Sequence, residues 1–227
     1  MSIGGGILGR KFGFQSSGKS SLLSGLYAAY NYESDASDSS GNGYNGTQVN
    51  VPTYVAGKFL NCVKFNTTNY IYSGANSDFN FGSGDFAVSL WINPALLSVV
   101  KYLIIKGNGF GGVNDAYFMN TSALDKVSFS LQTNISFYSI TTTSSITGTW
   151  QNIIAQRVGN TIEIYFNGTL EASAAVAGST ATYANAHPYY HTLNVLGFDG
   201  KYDSHNIWSR SLTSVEIVTI QTAQYPF

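Results

Sequence analysis

QNIIAQRVGNTIEIYFNGTLEAS, Gln151 to Ser173, reads as three short strands folded back on one another. Turns fall at Gly159-Asn160 and Asn167-Gly168. Asn-Gly is the favoured two-residue hairpin chemistry because both central residues of that turn take positive φ. A meander of this kind carries an apolar face that an opposing sheet must cover. The same grammar extends along the chain from about residue 25, as short alternating runs separated by Gly, Asn, Asp and Ser clusters every 8 to 12 residues or so. In DFAVSLWINP, Phe86, Val88, Leu90 and Ile92 share one face, with Ser89 and Trp91 on the other; in KVSFSLQT, Val127, Phe129 and Leu131 do the same. Each run is expected to bury one side only.

Composition agrees with an all-β reading. Of 227 residues, 44% are hydrophobic and only 10% are charged, well below the quarter usual in soluble domains. The difference is filled by Gly, Ser, Thr, Asn and Tyr, the balance of a β protein with polar, uncharged surfaces. Net charge is −1, yet the first 32 residues hold Arg10, Lys11 and Lys19 and no acid, so they carry +3 and the rest −4. That asymmetry marks MSIGGGILGRKFGFQSSGKSS as a separate segment, a flexible basic Gly/Ser-rich arm over residues 1–24, ahead of one domain over 25–227. Cys62, the single cysteine, makes no intrachain disulfide, and its flanks FLNCVKF suggest a buried strand thiol. Met1 reads as a native start, and neither an export signal nor a membrane span is apparent.

One helix is predicted, in LTSVEIVTIQTAQ. Thr213 and Glu216 make a capping box, Leu212 and Ile217 are placed for the hydrophobic staple, and the helix is expected to close one end of a sandwich. Two glycine motifs are decoys. GFQSSGKS, Gly13 to Ser20, matches the phosphate-loop pattern, but no buried strand precedes it and no long helix follows, so no nucleotide is expected. In DSSGNGYNG, Gly41, Gly43 and Gly46 spell a dinucleotide fingerprint without its strand-helix context, which leaves a tight loop using positive φ.

That glycine loop, with its surroundings, carries a resemblance. Asp38 to Gly46, Phe86 to Pro94, Lys106-Gly107, Thr149 to Ala155, Tyr165 to Gly168 and Tyr202 to Leu212 fall in an order and spacing that resemble the laminin-G-like, concanavalin A-like lectin/glucanase jelly-roll domains, from about residue 25 to residue 222. Gln151 and Asn152 replace the histidine pair that the family carries after the tryptophan. The resemblance implies an all-β, two-sheet antiparallel jelly-roll sandwich. It also implies a structural calcium, for which Asp38, Asn42 and Asp203 occupy matching positions; the alternative is an Asx-turn at Asp38 and a solvated Asp203.

The fold serves lectins, carbohydrate-binding modules, glycosidases, adhesion domains and virion proteins, so function has to be read from sites. Glycoside hydrolysis needs grouped carboxylates, and Glu163 stands alone. His187, His191 and His205 lack metal or nucleophile spacing, so no enzyme is expected. A glycan site combines aromatic faces with polar groups, and YANAHPYYH with the following turn offers Tyr183, His187, Tyr189, Tyr190 and Asp199; the alternative is packing at a subunit contact or on the sandwich rim.

Two functions follow. The first is a bacteriophage virion structural protein, as a capsid decoration, head-fibre or tail-associated protein. It would dock on capsid or tail proteins through Arg10, Lys11 and Lys19 and act as a homo-oligomer within an assembly. The second is a secreted or cell-surface carbohydrate-binding module. Three positive charges on an arm fall short of a nucleic-acid stripe.

Overall fold

The computed structural model of the chain describes residues 21–73, 79–107, 115–180, 187–190 and 198–222; for residues 115 and 187–190 the description is of backbone alone. The opening meander forms as read. Strands β11 (Gln151–Val158), β12 (Thr161–Phe166) and β13 (Thr169–Ala175) are consecutive antiparallel neighbours. Asn167 and Gly168 take φ of 48° and 82°, as the hairpin turn requires.

The meander is one end of an eight-stranded sheet. Beyond β11 come β6 (Phe86–Pro94), β15 (Gly200–Trp208), β4 (Asn61–Phe65) and β3 (Thr53–Ala56), with β1 (Leu26–Tyr30) also paired to β15. Facing it is a five-stranded sheet in the order β10 (Phe137–Thr141), β9 (Val127–Gln132), β8 (Asp115–Thr121), β7 (Tyr102–Gly107) and β14 (His187–Tyr190). A two-stranded ribbon, β2 (Gly46–Val49) with β5 (Tyr70–Ser73), lies beside β14. All pairings are antiparallel, and the architecture is the expected sandwich.

Phe86 joins the sheets. Its ring stacks on Phe81 at 4.9 Å, lies 4.9 Å from Tyr117 of β8 and meets Phe129 of β9 edge-on at 6.2 Å. Val88, Leu90 and Ile92 continue the same inward face, and Val127, Phe129 and Leu131 answer from the facing sheet. Along one edge the sandwich is closed by Glu171 of β13. Its carboxylate accepts from the backbone and hydroxyl of Thr143 and of Ser144, in the loop after β10. Burial pushes Glu171 up, but these hydrogen bonds outweigh it and hold the group below the usual carboxylate range.

Three expectations change. Strands β6 and β11 are buried on both faces, not one. The outer face of the large sheet is covered by the helix α1 (Ser214–Ile220), whose Ile217 and Ile220 pack with Ala87, Ile154 and Trp208. The helix therefore lies on a sheet face rather than closing an end of the sandwich. Its capping box forms as predicted, and Leu212 and Ile217 share one cluster. Finally, residues 21–24, assigned to the arm, pack on the domain, because Leu22 is fully buried and its carbonyl accepts from the Trp208 indole N–H at 2.8 Å. Arg210 binds the carbonyls of Ser21 and Ser24. Arg10, Lys11 and Lys19 lie outside the described residues. Among those residues, no helix is long and apolar enough to cross a membrane.

Two carboxylates tie loops to this frame, with opposite pH signs. Glu216 is raised by burial, but Arg210 at 2.7 Å, then Thr213 and Ser21, draw it down to about 2 from 4.5. Its contribution is present above pH 4.5 and is lost as pH falls toward 2. Glu216→Ala removes the cap and strands Arg210, and is expected to cost roughly 2 kcal/mol at neutral pH in denaturant titration.

Asp203 of β15 is fully buried, and its Oδ2 accepts the amides of Lys58 and Phe59 at 2.8 and 2.9 Å. Burial, with Glu33 adding to it, outweighs those amides and pushes the group up to about 7 from 3.8. Its stabilising contribution is complete below pH 3.8 and is lost as pH rises through 7. Asp203→Asn is expected to match the parent near pH 4 and to exceed it at pH 8 by about 2–4 kcal/mol, read as a flattened stability-versus-pH curve.

Candidate functional site

Sheet alternation decides which side chains reach the surface. With Tyr117 and Met119 of β8 and Phe129 and Leu131 of β9 locked inward, the residues between them point to the opposite face of the five-stranded sheet. There Tyr102, Ile105 and Phe118 form a cluster separate from the main core, and Tyr70 and Tyr72 of β5 pack against it. Tyr102 and Phe118 meet edge-to-face at 5.7 Å, and Phe118 stacks on Phe137 at 6.1 Å. The three rings make a line from β7 across β8 to β10, with successive centroids 5.7 and 6.1 Å apart.

The line is graded in exposure. Phe118 is 6% exposed beneath the β5 side, whereas Phe137 is 41% exposed at the β10 side. Tyr102 is buried like Phe118, so Phe137 is the ring that offers an apolar face of the kind that sugar C–H groups stack on.

Polar groups on this face are uncharged and paired across strands. The hydroxyls of Ser128 and Thr141 are 2.8 Å apart, and those of Ser130 and Ser139 are 2.9 Å apart. Gln132 donates through Nε2 to the Thr133 carbonyl at 2.8 Å, while its Oε1 is buried without a hydrogen-bond partner. The sheet's own cation, Lys106, pairs in register with inward-facing Tyr117 and is buried.

The predicted glycan loop meets this region in part. His187 to Tyr190 form β14, where His187 is the register partner of Gly107 and Tyr190 that of Ile105, so the strand borders the aromatic cluster. Tyr183 lies outside the described residues. Asp199 is half-buried just before β15, and its carbonyl accepts from Ala95 at 2.8 Å. Sequence reasoning did not single out Tyr70, Tyr72, Tyr102, Phe118 or Phe137. The alternation in KVSFSLQT, which sets Ser128 and Ser130 opposite the core side, was the available signal.

The three residues proposed for calcium play other parts. Asp38 accepts the amides of Ala29 and Ser40 through Oδ1, and the Tyr44 amide and Ser40 hydroxyl through Oδ2. This is the Asx-turn arrangement, extended to anchor the glycine loop on β1. Asn42 turns its Nδ2 toward the carbonyls of Leu26 and Tyr27. A carboxylate saturated with donors beside an amide presenting N–H does not fit a cation that takes six to eight oxygens. Asp203 is bound to the turn after β3 and is not solvated. Among the described residues, no group of three or more His, Cys, Asp or Glu could hold a metal ion.

Catalytic groupings fare similarly. Glu163 is held through one oxygen by Gln156 and Tyr165, both at 2.8 Å. His205 is fully buried, and burial pushes it down to about 3.

Comparison with solved structures returns the same fold. The binding domain of Paraclostridial Mosquitocidal Protein 1 superposes with a TM-score of 0.71 at 20% identity, over 88% of this chain and 52% of that one. Domain 4 of AbnA, an extracellular arabinanase of Geobacillus stearothermophilus solved with arabinotriose, gives 0.68 at 19% identity, over 87% of this chain and 98% of the domain. The botulinum neurotoxin DC binding domain, solved with SialylT, gives 0.71 at 14% identity, over 90% and 53%. The chain thus spans about half the length of the toxin domains and nearly all of the arabinanase domain, and the two toxin structures are binding domains rather than catalytic ones. No curated protein sequence matches the chain. The sequence profile of one family does match, over residues 65–218, from β4 through most of α1, and the chain belongs to that family, the Laminin_G_3 domains of the concanavalin A-like lectin/glucanases superfamily.

Proposed function

We propose that the chain is a non-enzymatic carbohydrate-binding domain that uses the outer face of its five-stranded sheet for adhesion. The observation that carries this reading is the exposed ring of Phe137, backed by the buried rings of Phe118 and Tyr102 and flanked by the paired hydroxyls of Ser128, Thr141, Ser130 and Ser139. Aromatic planes satisfy the apolar faces of sugar rings, and hydroxyls that both donate and accept satisfy the rims. Two of the similar structures were solved with carbohydrate, in keeping with this use of the fold. The Glu163 environment supports a non-catalytic role, since its carboxylate is held by neighbours and no second acid accompanies it in that network.

Phe137 is the cleanest lever, because it is exposed and outside the main core. On a glycan array, Phe137→Ala is expected to weaken binding about tenfold, with unfolding stability changed by less than about 1 kcal/mol. Equal signals from parent and variant would reject this face.

The setting we propose is a virion surface, with the basic segment as the mount. Its support is the run of three cations, Arg10, Lys11 and Lys19, without an acid in the first 32 residues. Removing residues 1–20 should then abolish co-sedimentation with capsid or tail particles and leave glycan binding intact. Undiminished co-sedimentation would contradict that mount and favour a secreted or cell-surface module.

A further inference from the structure

We infer that the aromatic face selects uncharged glycan chains, binding them along their length and discriminating against sugars that carry carboxylates; this rests on the carbohydrate-binding reading above. From Phe118 onward on β8, and along β9 and β10, the outward positions hold Phe118, Asn120, the Ser/Thr pairs, Gln132 and Phe137, and none of these is charged. An anionic sugar laid on them would lose its hydration without gaining a counter-charge, which is costly in a partly buried site.

Among the described residues, three cations are committed elsewhere. Lys106 faces the core, Lys126 donates its Nζ proton to the Thr143 carbonyl, and Arg157 is spent on the carbonyls of Gly159, Gly82 and Gly178.

Hydrogen-bond polarity points the same way. Within each hydroxyl pair one group donates to the other, so one proton per pair remains for a ligand, together with spare lone pairs. Gln132 adds an uncharged amide to the same face, its Nε2 donating to the Thr133 carbonyl. The extent of the face matters as well. Phe137, Ser139 and Thr141 are exposed along β10 with the Ser128 hydroxyl beside them, a row that suits consecutive sugar units better than a single terminal residue.

The test is a glycan array carrying uncharged oligosaccharides, arabino-oligosaccharides among them, beside sialylated and uronic-acid-containing ones. It is read for the full chain and for Phe137→Ala and Gln132→Lys at low salt and at about 0.5 M salt. The expected result is binding confined to uncharged chains, rising with chain length, insensitive to salt and lost in Phe137→Ala. Gln132→Lys should gain salt-sensitive binding of the acidic set. Salt-sensitive preference of the parent for acidic sugars, abolished by Phe137→Ala, would overturn the selectivity and leave the binding face standing. Absence of any binding, or binding indifferent to Phe137→Ala, would overturn the reading on which the inference rests.

Discussion

The contact of Phe86 with Tyr117 and Phe129 is the constraint from which the rest of the molecule follows. It joins the centre of the large sheet to β8 and β9 of the small one and fixes which side of each strand is core. Side chains alternate with period two, so a slip of one residue would exchange the faces completely. Pinning Tyr117 and Phe129 inward therefore sets Phe118, Ser128 and Ser130 on the opposite face. The edge-to-face and stacked rings add roughly 0.5–1.5 kcal/mol per pair beyond their buried area, enough to make that choice of register decisive.

A sandwich has two outer faces, and this chain treats them differently. The large sheet's outer face is sealed by α1, by the segment around Leu22 and by the turn after β3, which Asp203 holds by its amides. Arg210 and Glu216 bind the first two of these covers to each other. The small sheet's outer face keeps an exposed aromatic, Phe137, beside uncharged polar groups. Covering one face while leaving the β9–β10 part of the other open is what converts a generic fold into a platform.

Much of this was legible in the sequence. The meander over Gln151–Ala175 followed from its two turns, the helix from Thr213 and Glu216, and the inward faces of β6 and β9 from alternation. What escaped were relations between distant segments. Burial of β6 on both faces depends on a helix some 120 positions later in the chain, and Ala87 gives no local sign of its meeting with Ile217. Tyr102, Phe118 and Phe137 belong to three strands, and each looks like an ordinary strand residue until pairing aligns them. Asp38 shows the converse. Its loop matched a calcium pattern in letters, but its four acceptor sites are taken by donors of its own loop and of β1, a fact of geometry that spacing could not reveal.

The most direct test is heteronuclear NMR shift mapping during titration of the full chain with an uncharged oligosaccharide identified on the array. The account predicts that the largest perturbations fall on the backbone amides of Phe118, Asn120, Ser130, Gln132 and Phe137, with Trp208 and the α1 residues unmoved. Perturbations concentrated instead on the Asp38–Gly46 loop or on the outer face of the large sheet, with Phe118 and Phe137 silent, would contradict it.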